Sequence, residues 1–303
     1  MNFIRANLLT LIFLTMSSWG FFGHENINRL AVYTLPAEMI SFYKKNIHYI
    51  VEASVYPDMR RYAIPEEGPR HYIDMDEHND SIPQRWNDAV EKIGKDSLML
   101  HGIVPWHTYR VYLQLRNAFM TRDAQRVLRL SAELGHYVAD AHVPLHTTSN
   151  HNGQKTDQHG IHGLWESRLP ELFSANYDFF VGRAEYINDV QKTMWDVVMQ
   201  SHACVDSVLN FERELSKREI QRKYAFETRG KQTVKVYSER YSKLYHSMLQ
   251  GMVERRMRSS IHMVGNLWYS AWVDAGQPDL KNFQYQQREE EADSVKTWTA
   301  SEH

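Results

Sequence analysis

The chain has 303 residues, 43% hydrophobic and 24% charged, an ordinary globular composition with room for one large core or two small ones. A formal net charge of −2 excludes nucleic-acid or membrane attachment driven by a bulk basic excess. A single cysteine, Cys204, excludes an intrachain disulfide, and 16 histidines against that one thiol point to imidazole chemistry.

The first element is a targeting segment over residues 1–18. Arg5 is its short positive region, Leu8 to Leu14 is an apolar run broken only by Thr10, and the small residues Ser17 and Ser18 follow. The run is too short to cross a bilayer core of ~30 Å. The expected product is an exported protein, periplasmic or secreted, cut between Ser18 and Trp19; an uncleaved anchor and a buried N-terminal helix are the alternatives. Cleavage removes one positive charge, Arg5, and takes the formal charge from −2 to −3.

Helical periodicity dominates the rest of the chain. Pro36 opens a helix through Met39 and Phe42. Val104 to Met120 repeats apolar residues at spacings of three and four, including Val111, Leu115 and Phe119. Asp123 caps the next helix, which carries Val127, Leu130, Leu134 and Val138. The segment Thr147 to Ile161, rich in Asn, Gly, Gln and Thr, reads as a long surface loop. Asn188 caps a helix toward Leu215 in which Cys204 is a small core residue, and the longest pattern runs from about Tyr237 to Trp272 before Gly276 and Pro278 end it. Arg255, Arg256 and Arg258 on that pattern read as a solvated face. Alternating runs are scarce and no repeat or linker is present. The expectation is an all-α, single-domain multi-helix bundle over residues 19–283, followed by a mobile, polar, Glu-rich tail over 284–303.

The most specific feature is His136-Tyr-Val-Ala-Asp140-Ala-His-Val-Pro-Leu-His146. His136 and Asp140 are four apart in a helical pattern and share a face. Pro144 then breaks the helix and lets His146 return toward them. Zinc takes imidazole nitrogen and carboxylate oxygen at ~2.0–2.2 Å, so its ligands must converge tightly. A solvated helix face gives the same four-residue spacing, so this pair alone decides nothing. His162-Gly-Leu-Trp-Glu166 is a second such pair at a helix start. Tyr56-Pro57-Asp58, Arg70-His71-Tyr72-Ile73-Asp74 and Trp19-Gly-Phe-Phe-Gly-His24 complete the series.

Taken in this order, these motifs resemble the zinc-dependent phospholipase C and S1/P1 nuclease superfamily, over about Trp19 to Glu171. The resemblance implies the all-α fold of that superfamily and three Zn2+ ions. Asp58, His71, His136 and Asp140 would hold one ion, His146, His162 and Glu166 a second, and Trp19, His24 and a bridging Asp140 the third. Trp19 would bind through its own α-amino nitrogen and carbonyl oxygen, which gives the cut after Ser18 a chemical purpose. The five-residue offset of His24 from Trp19 looks like the nucleases, and Glu166 in place of Asp looks like the phospholipases. Tyr72 and Asp74 fall where the nucleases keep an aromatic and a carboxylate for the base, although a packed tyrosine and a structural aspartate would read alike.

Three Zn2+ bring +6 and Asp58, Asp140 and Glu166 bring −3, leaving about +3 with neutral imidazoles, a site that attracts an anionic phosphoester. The implied activity is hydrolysis of phosphodiester bonds by metal-activated hydroxide, with single-stranded nucleic acid or a phospholipid head group as substrate, Asp58 orienting or deprotonating the water, and no obligate protein partner. Two other classes remain open: an envelope protein whose zinc is only structural, and a membrane-tethered interaction protein with its N-terminus uncut.

Overall fold

The computed structural model describes residues 21–78, 82–230 and 232–283, so the segment 1–18, Trp19 and the tail 284–303 lie outside the described residues. The fold is all-α, with one antiparallel hairpin, Tyr224–Arg229 paired to Gln232–Tyr237. No helix among the described residues is long and apolar enough to cross a membrane.

The central element is the helix Ala124–Ala141. Asp123 caps it, accepting a hydrogen bond from Arg126 N at 3.0 Å. From Leu130 onward every residue of it is buried, so it is enclosed by neighbours on all sides instead of presenting one amphipathic face. The helix Val104–Met120 runs into it through the turn Thr121–Asp123. The helices Phe21–Ala31 and Met252–Asp274 pack on it as well. Trp268 of the last helix stacks on Tyr43 at 4.9 Å and donates from Nε1 to Ser131 O at 3.0 Å. Gly135 sets the closest approach: a Cβ there would lie 2.2 Å from Asn28 Oδ1. The N-terminal helix therefore crosses the central one almost in backbone contact, and its His24 ring stacks on His136 with centroids 3.9 Å apart.

Two expected long helices are each broken. Asp189, not Asn188, caps Val190–His202, and a new helix, Val205–Glu219, begins after Ala203 and Cys204. Cys204 is only partly buried at that break. The pattern from Tyr237 divides into Glu239–Met248 and Met252–Asp274, because Gln250 and Gly251 take φ of 50° and 75°. The arginine run is corrected too: Arg256 turns inward and donates from Nε to His142 O at 2.9 Å. The loop after Thr147 is less superficial than its composition suggests, since Thr147, Thr148, Asn150 and Gln158 are buried.

Gln158 shows what holds that loop. It donates to Glu212 Oε2 at 2.6 Å and to Leu209 O at 2.7 Å. Glu212 is fully buried and also takes Lys223 Nζ, Tyr241 OH and Ser216 Oγ at 2.7, 2.7 and 2.8 Å. Burial alone would raise the Glu212 carboxyl; Lys223 and the other donors outweigh it and hold it below its ordinary 4.5. Glu212→Ala strands a buried Lys223 and is expected to cost about 3–5 kcal/mol in denaturant unfolding. Because the folded pKa lies below the unfolded 4.5, the stabilisation by Glu212 is complete above 4.5 and is lost as pH falls through the folded value. The stability gap between wild type and Glu212→Ala should therefore narrow on acidification below about 4.5.

Candidate metal centre

Eight of the nine expected ligand residues are described, and the fold brings all eight together from six segments. His24 comes from the N-terminal helix, Asp58 from Tyr56–Arg60, and His71 from the end of the 3-10 turn Pro65–His71. His136 and Asp140 lie one turn apart on the central helix, and His146 returns from the 3-10 turn Pro144–Thr147 that Pro144 starts. His162 and Glu166 belong to a short helix opened by Gly160 at φ 92°. Its second half, Leu164–Arg168, is a π-helix, where an ordinary α-helix was expected. Such single π turns recur at functional sites because the extra residue re-aims side chains.

Three groups of ligand atoms gather within 4.8 Å: His24, His136 and Asp140; Asp58, His71 and His136; His146, His162 and Glu166. Asp140 sits between them. Its Oδ2 lies 2.9 Å from His71 Nδ1 and 3.3 Å from His136 Nε2, while its Oδ1 lies 3.4 Å from His24 Nε2 and 4.0 Å from His146 Nε2. Glu166 divides in the same way, Oε2 to His162 and His146 at 2.6 and 3.4 Å and Oε1 to His24 at 3.7 Å. Asp58 Oδ1 stands farther off, 3.9 Å from His71 and 4.0 Å from His136.

The tautomers are set from behind. His136 Nδ1 donates to Ser54 O at 2.8 Å, His146 Nδ1 to His71 O at 2.6 Å, and His162 Nδ1 to His151 O at 3.2 Å. Each leaves an Nε2 lone pair facing the cluster, the usual carbonyl support of a metal-binding imidazole. His71 is reversed and faces the cluster with Nδ1, 3.0 Å from His136 Nε2. Two ring nitrogens that close need a proton or a cation among them. The buried His24 Nδ1 and His71 Nε2 have no hydrogen-bond partner. The convergent imidazoles of His24, His71, His136, His146 and His162, with the carboxylates of Asp58, Asp140 and Glu166, fit divalent zinc by donor type.

Electrostatics splits the imidazoles. Burial, reinforced by His136, pushes His24 down to about 4. Burial also opposes charge on His146, but Asp140 and Glu166 overcome it and push it up to about 9. Burial opposes ionisation of Asp140 and Glu166 too; His136 and His146 hold Asp140, and His146 and His162 hold Glu166, well below the ordinary carboxylate range. The site is not sealed. The side chains of Asp58 and His162 are 20% and 28% exposed and mark its open side.

Tyr72 and Asp74 lie beside His71 but outside the three groups. Tyr72 donates to Leu100 O at 3.1 Å, and Asp74 faces His101 Nδ1 at 3.5 Å. Burial, offset by His101 and aided by Asp76, raises Asp74 to about 6. His142 donates to Val138 O and stays out of the cluster, and His151 and His159 are exposed, as expected. Two charged features escaped sequence reasoning. Arg61 Nη1 lies 3.6 Å from Asp58 Oδ1 at the open side, and Glu67 lies fully buried behind His71 with Arg60, Arg70 and Tyr137. Arg61 follows Asp58 by three and Glu67 precedes His71 by four, spacings that were open to reading.

A family model described as S1/P1 Nuclease matches residues 19–303 of the chain. No curated protein matches the chain.

Proposed function

The chain belongs to the S1/P1 nuclease family and is thus a phosphoric ester hydrolase, and from that premise we propose a trinuclear-zinc phosphodiesterase that cleaves single-stranded nucleic acid. The observation that carries the proposal is the convergence of the three ligand groups on Asp140, with an opening at Asp58 and His162. A purely structural zinc site would be closed by protein on all sides. Asp58, His71, His136 and Asp140 would hold one ion, His146, His162 and Glu166 the second, and His24 with Asp140 and the α-amino end of Trp19 the third. A mature chain starting at Trp19, and with it export, is part of this proposal, because the third site takes the α-amino end of Trp19.

Zinc, when bound, supplies Lewis acidity and lowers the pKa of water toward ~7. The chain's own residues do the rest. Asp58, the carboxylate at the open side, accepts a proton from the attacking water and orients it. Arg61 places a guanidinium beside that carboxylate, where a phosphate oxygen can take its free N–H groups. Tyr72 offers an aromatic face and Asp74 an acceptor next to His71 for the base of the substrate. Asp58→Asn is expected to reduce kcat far more than it changes KM; equal losses in both would remove the assignment.

The test of the substrate is a paired assay on the purified protein, with single-stranded DNA and RNA in one arm and phosphatidylcholine vesicles in the other. Cleavage of the nucleic acids is expected. Cleavage of the vesicles alone would move the protein to the phospholipase side, where Glu166 already leans.

A further inference from the structure

The support behind the imidazole rings differs across the cluster, and His71 stands apart. His136, His146 and His162 each rest their outer nitrogen on a backbone carbonyl. His71 turns its Nδ1 to Asp140 and His136, so a ligand lone pair on Nδ1 puts the ring proton on Nε2. That nitrogen is buried and has no hydrogen-bond partner. The carboxylate oxygen facing it is Glu67 Oε1, 3.8 Å away and four residues earlier on the same short helix.

Glu67 is fully buried and is held by cations and a phenol instead of by solvent. Arg70 Nη1 donates to its Oε2 at 2.7 Å, Arg60 reaches both oxygens at 3.4 Å, and Tyr137 OH donates to Oε1. Arg60 is shared with Glu133 at 2.8 Å, so the two arginines and two glutamates balance in charge. A carboxylate has one property a carbonyl lacks: it places a full negative charge behind an imidazole that must give electron density to a cation.

We propose that Glu67 is the positioning residue of His71, accepting its Nε2–H through Oε1 when Nδ1 coordinates metal. A shift of about 1 Å closes the 3.8 Å gap to a hydrogen bond. Arg60, Arg70 and Tyr137 then serve to keep Glu67 ionised and aimed, and the network ties the cluster to the central helix through Tyr137, the residue after His136.

The proposal rests on the reading of the cluster as a zinc centre, and the test separates the two. Glu67→Gln and Tyr137→Phe are purified with zinc alongside wild type, and the affinity of each bound ion is measured by competition with a chromophoric chelator. Glu67→Gln is expected to weaken one ion by about 10–100-fold and leave the others unchanged. Tyr137→Phe, which removes a donor to Glu67 but keeps the carboxylate, is expected to leave all affinities within a few-fold while lowering the melting temperature. Unchanged affinities in Glu67→Gln, or the same loss at every ion in both variants, would overturn the role. If Glu67→Gln does not fold, the imidazole 15N–1H correlations of zinc-loaded wild type decide: a proton on His71 Nε2 is expected, and one on Nδ1 overturns it. A wild type that takes up no zinc removes the zinc reading itself, before any variant is compared.

Discussion

Asp140→Asn is expected to abolish hydrolysis, with kcat/KM at least ~100-fold down, since disturbing even the residues behind metal ligands costs ~10–100-fold. Asp140 faces imidazoles of all three groups, His71 and His136 with one oxygen and His24 and His146 with the other, whereas Glu166 faces those of two. Asparagine keeps the shape but replaces one anionic oxygen by an amide nitrogen, which can only donate. It then meets a ring nitrogen whose lone pair is already committed inward. The effect is expected at two ions together, so metal counting on Asp140→Asn should return fewer ions than on Glu166→Gln. A variant that keeps its full metal content and more than a tenth of wild-type activity would show that Asp140 does not bridge.

Removing the metal is expected to cost stability as well as activity. Without a cation, the cluster leaves the carboxylates of Asp58, Asp140 and Glu166 crowded against the imidazoles, with His71 and His136 nitrogens 3.0 Å apart and Asp140 almost wholly buried. Ions present at 1,000 times their dissociation constant stabilise the folded chain by about 4 kcal/mol per site. For a chain of this size that corresponds to a melting temperature lower by roughly 8 °C for each ion removed, and by roughly 24 °C when chelation empties all three sites, since ~1 kcal/mol moves the midpoint ~2 °C. Calorimetry with and without chelator measures it, and readdition of zinc should restore both the midpoint and the activity. An unchanged midpoint would mean that the fold does not feel the ions.

Part of the candidate cluster was legible in the sequence because its spacing is local. His136 and Asp140 meet through one helical turn, Pro144 breaks the chain where His146 must return, and these rules act over a few residues. The central helix and its Asp123 cap were legible for the same reason. What stayed hidden depends on distant partners. The π turn at Glu166 leaves the His162–Glu166 spacing unchanged, and only the hydrogen-bond ladder distinguishes it. Arg60 meets Glu133 and Tyr137 across more than seventy residues of chain. Arg256 lies among charges that read as a solvated face, yet His142 O and Ser201 draw it inward. The hairpin Tyr224–Tyr237 is short enough that its alternation is lost among the flanking helices.

The most direct test is anomalous diffraction at the zinc edge from crystals of the purified protein. Three peaks are predicted, one among Asp58, His71, His136 and Asp140, one among His146, His162 and Glu166, and one beside His24 and Asp140. Peaks elsewhere, or none at these residues in zinc-supplemented crystals, would contradict a trinuclear zinc centre built on Asp140.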